Sequence, residues 1–151
     1  MNRRNAMTLL AFASVAANVP QVLAAETQIQ MLNSGALGTM VFEPGFVRIA
    51  IGDTITFIPT DKGHNAESIR NMLPEGAEPF KGGIGKEISV TFTVPGVYGV
   101  KCAPHFPMGM VALILVGDLP PSNLGAAVAA KQPGKAEERF KQYFLELNGP
   151  A

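Results

Sequence analysis

The sequence predicts an all-β fold, a β-sandwich of seven or eight strands, with two α-helices appended at its C-terminal end. Three observations carry this. Short stretches that alternate apolar and polar residues, separated by turn residues, recur through much of residues 27–116. Residues 110–116 are all apolar, as in a strand covered on both faces. After Pro120-Pro121 the apolar spacing changes from two residues to the three or four of a helix.

Near the start, Ile29 and Met31 alternate with Gln28 and Gln30. The Glu43-Pro44-Gly45 turn introduces Val47, Ile49 and Ile51, read as one strand, and the Gly52-Asp53 turn introduces Ile55 and Phe57. Ile88, Val90, Phe92 and Val94 alternate with Ser89, Thr91 and Thr93, giving a strand with one buried face. That strand runs into Pro95-Gly96, residues suited to the two central positions of a type II turn, so 97–102 is expected as its hairpin partner. Residues 59–85 break the pattern, with Pro74, Gly76, Pro79, Gly82, Gly83 and Gly85 as punctuation. They read as a loop that holds His64 and a short helix around Ile69-Leu73. Beyond Pro120-Pro121, Ser122 is the expected cap of an Ala-rich helix reaching about Ala130. A second helix is expected from about Gly134 to Leu147, with Phe140, Phe144 and Leu147 in one stripe, a Glu137/Lys141 pair, and Gly149-Pro150 as its stop. Both helices should pack on the sandwich.

With 151 residues, 47% of them hydrophobic and 16% charged, the chain suits one globular domain with a core large enough to be stable unaided. Residues 1–24 read as a secretory signal peptide: the basic start Met1-Asn2-Arg3-Arg4, an apolar run from Ala6 to about Val19, and a small-residue end at Ala24-Ala25, with cleavage after either alanine. Residues 25–151 are then the mature domain, exported and expected in the periplasm. No later stretch approaches the roughly 20 apolar residues of a membrane-spanning helix, so no membrane insertion is expected. Removing residues 1–24 takes away two arginines and no acids, leaving 10 Lys and Arg against 12 Asp and Glu, a net charge of −2 that argues against a nucleic-acid partner.

The string Lys101-Cys102-Ala103-Pro104-His105-Phe106-Pro107-Met108-Gly109-Met110 puts the chain's one cysteine, one of its two histidines and two methionines within nine residues. An unpaired thiol in an oxidising compartment is a liability unless something protects it, and metal coordination is such a protection. One thiolate, two imidazoles and a weak thioether are the donors of a trigonal copper centre that passes single electrons. His64 is the second imidazole. A strand ending at Cys102 and one starting at Met110 share an edge, so the intervening loop doubles back and can present three ligands at one pole, stiffened by Pro104 and Pro107. Either Met108 or Met110 could take the axial place. Zinc with an open position is a competing use of two histidines and a cysteine, but the loop holds no carboxylate for hydrolysis. A cysteine nucleophile lacks an Asn or Asp in the loop to orient His105.

Together, Phe57-Ile58-Pro59, Asp61-Lys62-Gly63-His64-Asn65, Glu75-Gly76-Ala77, Cys102-Ala103-Pro104-His105 and Met108-Gly109-Met110 resemble the pseudoazurins, small periplasmic blue-copper proteins of the cupredoxin superfamily. Met31-Leu32-Asn33, the Met40-Val41-Phe42-Glu43-Pro44-Gly45 segment and the two C-terminal helices are similar to that family as well. The resemblance implies a Greek-key cupredoxin sandwich, an electron-transfer protein that is not an enzyme, and a copper ion cycling between Cu(I) and Cu(II) on His64, Cys102, His105 and Met110. It also implies that the Asn65 backbone amide reaches the thiolate and that Met40 lies near the His105 ring. Pro107 stands where the family has a small residue. The implied acceptors are denitrification enzymes such as copper-containing nitrite reductase, with c-type cytochromes among the donors, met by a monomer in transient encounters. Met40, Pro104, Phe106, Pro107 and Met108 could form an apolar patch around His105, and Lys62, Lys81 and Lys101 a basic ring for acidic partners, with Ser34 where the family often has another lysine.

Overall fold

The computed structural model describes residues 23–150; residues 1–22 of the expected signal peptide lie outside the described residues. Eight strands form two four-stranded sheets. The first sheet contains β1 (Glu26–Gly35), β2 (Gly38–Glu43), β4 (Thr54–Ile58) and β6 (Ile88–Thr91) in the order β2-β1-β4-β6, with β1 antiparallel to β2 and parallel to β4. The second contains β3 (Phe46–Ile49), β5 (Glu67–Ser68), β7 (Gly96–Lys101) and β8 (Val111–Val116) in the order β3-β8-β7-β5. α1 (Leu124–Ala129) and α2 (Lys135–Asn148) follow. No helix among the described residues is long and apolar enough to cross a membrane.

Two apolar layers form. Ile29, Met31, Phe42, Ile55, Phe57, Phe92 and Ile114 meet between the sheets, and Cys102 and Met110 are buried in that same layer. On the outer face of the second sheet, Val111, Leu113 and Leu115 pack against Ala136, Phe140, Tyr143 and Leu147 of α2. Alternate residues of β8 therefore belong to different layers, which is why its sequence is apolar throughout. Gly45 leaves the space that the Tyr143 hydroxyl occupies.

Three sequence expectations are corrected. Residues 97–102 are not the hairpin partner of the strand that begins at Ile88: β6 pairs with β4, whereas β7 pairs with β8 and β5 in the other sheet. Pro95-Gly96 is thus part of a crossing between sheets, anchored by the Tyr98 hydroxyl, which donates to the Val94 carbonyl at 2.6 Å. Gly96 is required by crowding as well as by its φ of 143°, since a Cβ there would lie 2.7 Å from Pro74 and 2.8 Å from Asn123 Oδ1. Ile51 is outside β3 and 56% exposed, because Asp53 closes a turn on Ala50, its Oδ2 accepting from the Ala50 N–H at 2.9 Å. The short helix expected around Ile69-Leu73, by contrast, is present as a single 3₁₀ turn, Arg70–Met72, that buries Met72. Ser122 does not cap α1. Asn123 holds that position and spends its amide on the N–H and C=O of Val97, both at 2.8 Å.

Tyr143 carries a pH prediction. Burial pushes its phenol up to about 12, above the ordinary 10. The folded state therefore disfavours the phenolate, so this contribution to stability is complete below pH 10 and is lost as pH rises through 12, about 2–3 kcal/mol in all. Urea midpoints measured from pH 9 to 12 should fall over that window, and Tyr143→Phe should flatten the fall.

Candidate metal centre

The site is assembled from two loops at one end of the sandwich. β7 and β8 are antiparallel, with Lys101 opposite Val111, so the chain leaving at Cys102 returns at Met110. The Cys102 N–H donates to the Met110 carbonyl at 3.0 Å, and the Met110 N–H to the His105 carbonyl at 3.3 Å. Between them the loop makes a 3₁₀ turn, Phe106–Met108, closed by Gly109 at a φ of 93°. His64 arrives from the loop after β4 and is wholly buried.

His64, Cys102 and His105 bring one donor atom each to within 4.8 Å of one another. The separations are 3.1 Å between the two Nδ1 atoms, 3.7 Å from Cys102 Sγ to His64 Nδ1 and 3.6 Å from Sγ to His105 Nδ1. A triangle of those sides leaves a point roughly 2 Å from every corner, the bonding distance of a first-row metal ion to nitrogen and little short of that to sulfur. Met110 is wholly buried beside Cys102 in the same layer. One soft sulfur, two imidazoles and a neighbouring thioether suit copper, and the cluster includes no carboxylate of the kind a hydrolytic zinc centre would use.

The surroundings prepare these donors. Asn33 Oδ1 lies 2.8 Å from His64 Nε2, and an amide oxygen can only accept, so the ring hydrogen sits on Nε2 and the Nδ1 lone pair faces Cys102 and His105. Asn33 is held in turn by its N–H donating to Asp61 Oδ2 at 2.7 Å. Burial, then repulsion from His105, lowers the pKa of His64 and favours its neutral, metal-binding form. Burial pushes the Cys102 thiol up, opposed by the backbone amides of Asn65 and His105. The amide of Asn65 thus reaches the sulfur as the resemblance implied. Its side chain does more: Oδ1 accepts from the Ala103 N–H at 2.7 Å, and Nδ2 donates to Glu67 Oε2 and the Gly82 carbonyl, both at 3.1 Å. One buried amide therefore ties the His64 loop to the cysteine loop.

A profile of copper-binding proteins of the plastocyanin/azurin family matches residues 29–117. A pseudoazurin of Paracoccus pantotrophus is 54% identical over 125 residues, 83% of this chain and 86% of that protein. The chain belongs to the pseudoazurin family. Among solved structures, the pseudoazurin of Methylobacterium extorquens matches with a TM-score of 0.79 at 48% identity, covering 82% of this chain and 99% of that one. The pseudoazurin of Hyphomicrobium denitrificans matches at 0.76 and 46%, covering 80% and 97%. The cofactor is copper, and the chain, as a pseudoazurin, is a carrier of electrons between redox proteins and not an enzyme.

The residues expected to form an apolar patch differ in exposure. Pro104, Pro107 and Met108 are exposed, and Met40, His105 and Phe106 are half-buried. Lys62 and Lys81 are exposed, but Lys101 is engaged: its Nζ lies 3.4 Å from Glu67 Oε1 and 5.0 Å from the centre of the Phe106 ring. Asn33, Glu67 and the side-chain role of Asn65 escaped sequence reasoning. Asn33 stands in a string shared with the family, but its function depends on the pairing of β1 with β4, which no local pattern reveals.

Proposed function

We propose that the mature domain, residues 25–151, works in the periplasm as a one-electron carrier to denitrification enzymes such as copper-containing nitrite reductase, fed by donors such as c-type cytochromes. The signal-peptide pattern of residues 1–24 supports the compartment. Copper would be held by His64, Cys102, His105 and Met110, with the thiolate of Cys102 as dominant donor and the Met110 thioether as a weak one. The triangle of donor atoms at 3.1, 3.6 and 3.7 Å carries this reading. Copper supplies the redox change itself, one electron between Cu(I) and Cu(II). The protein supplies constancy: with His64 fixed by Asn33, and Cys102 tied by its own N–H to the Met110 carbonyl, the donors need little rearrangement between the two states. His105 is the electron port. Its Nδ1 faces inward, so the opposite edge of the half-buried ring is the one a partner meets within the apolar patch.

Adding Cu(II) to the purified protein should give an intense blue thiolate-to-Cu(II) absorption; a colourless product would overturn the ligand assignment. Basic residues near the site steer acidic partners, with Lys62 and Lys81 as the free charges. Electron transfer to an acidic acceptor should slow as salt rises, and Lys81→Glu should slow it further at low salt. Stopped-flow rates indifferent to both would remove the docking ring.

A further inference from the structure

We propose that Arg139, on α2, is a positioning residue of the metal centre, holding by its guanidinium the carbonyls that precede Met110 and fix Met40. Nη1 donates to the Gly109 carbonyl at 2.7 Å and to that of Met40 at 3.4 Å, while Nη2 donates to the Leu37 carbonyl at 3.3 Å. The ion pairs found among the described residues are Lys101–Glu67 and Lys141–Glu137, so Arg139 directs its donors to backbone oxygens on two separate segments.

Both segments need holding. Gly109 lies in the left-handed region at a φ of 93°, where a Cβ would come within 3.3 Å of Lys135 Cβ and 3.5 Å of Arg139 Cζ, so the last turn of the ligand loop rests directly on α2. Met40 is the one non-glycine residue with positive φ among those described, at 53°, a left-handed conformation that a methionine adopts only when its surroundings hold it there. The loop is short and internally bonded: Met110 follows Gly109, its N–H donates to His105 and its carbonyl accepts from Cys102. A shift at the Gly109 carbonyl therefore moves the backbone of Met110 together with that of His105 and Cys102. A planar, forked cation spans carbonyls on two segments; a lysine ammonium, a point charge, cannot span them in the same way. By this arrangement the appended helix, outside the sandwich, sets the geometry of the copper ligands.

The inference rests on the assignment of His105 and Met110 as ligands, and its test separates the two. Arg139→Leu and Arg139→Lys would be compared with Lys141→Leu, on the solvent side of the same helix, all loaded with copper. The readouts are the ratio of the thiolate-to-Cu(II) absorption bands, the rhombicity of the EPR spectrum and the release of Cu(I) to a chelator. Arg139→Leu should shift the band ratio and rhombicity and speed release roughly 10- to 100-fold. Arg139→Lys should fall between it and the parent, and Lys141→Leu should match the parent. Parent-like spectra and release in Arg139→Lys, and in Arg139→Leu if it folds, would overturn the proposal whatever happens to Tm. Should Arg139→Leu fail to fold, the lysine variant decides alone. A parent that stays colourless with Cu(II) would instead sink the ligand assignment and this inference with it.

Discussion

Cys102→Ser is expected to abolish the blue colour entirely while leaving the sandwich folded. Cys102 is wholly buried, and its sulfur is the common vertex of the contacts to His64 and His105. Burial, the largest influence on the thiol, raises its pKa, so the metal-free protein holds the proton near neutrality and Cu(II) must displace it. A serine hydroxyl is far harder to deprotonate and has no thiolate to transfer charge to the metal, so the absorption should vanish and not merely weaken. The fold tolerates the change. The hydroxyl is slightly smaller than the thiol and can use the same amide hydrogen bond from Asn65, so the cost should stay near the lower end of the range for a buried hydroxyl, about 1 kcal/mol. The measurement is a Cu(II) titration read in the visible, with far-UV circular dichroism and a urea midpoint on the same samples. Strong blue absorption from a folded Cys102→Ser protein would remove the cysteine from the ligand set.

What was legible in the sequence followed from local chemistry. Alternation exposed the strands, and the all-apolar stretch of β8 correctly announced cover on both faces, by the other sheet and by α2. Cys102, His64 and His105 stood out because the chain has one cysteine and two histidines, whereas Met110, one of seven methionines, was singled out only by the family resemblance. Partnership across the fold was not legible. Pro95-Gly96 has the chemistry of a tight turn whether the next strand joins the same sheet or the other one, and only the pairing of β7 with β8 distinguishes them. Ser122 is a suitable cap, but the adjacent Asn123 was claimed by the backbone of Val97, 26 residues upstream, and that contact sets where α1 begins. Asn33 and Arg139 have the same history: each acts on the site through an element whose position depends on the whole topology.

Asn65→Ala should combine a loss of stability with a loss of metal retention, and this pairing distinguishes a bridging role from simple packing. Asn65 is 2% exposed, with Gly82 buried beside it. Truncation to alanine removes three side-chain hydrogen bonds, to Ala103, Glu67 and Gly82. It leaves the Gly82 carbonyl without that donor and water poorly placed to replace it. A net hydrogen bond contributes about 1 kcal/mol and an orphaned buried partner costs about 1–3, so a fall of about 2–4 kcal/mol is expected. The backbone amide of Asn65 that serves Cys102 remains in the variant, so the colour should survive. The lost tie between the His64 loop and the Ala103 N–H should nonetheless let the two loops separate more readily, and copper should pass to a chelator roughly tenfold faster or more. Asn65→Asp keeps the acceptor for Ala103 but not the donors to Glu67 and Gly82, and it sets a carboxylate against Glu67. If retention depends on the Ala103 link, the Asp variant should hold copper better than the Ala variant despite being no more stable. Equal release rates from the two would show that Asn65 matters only to the folding of its loop.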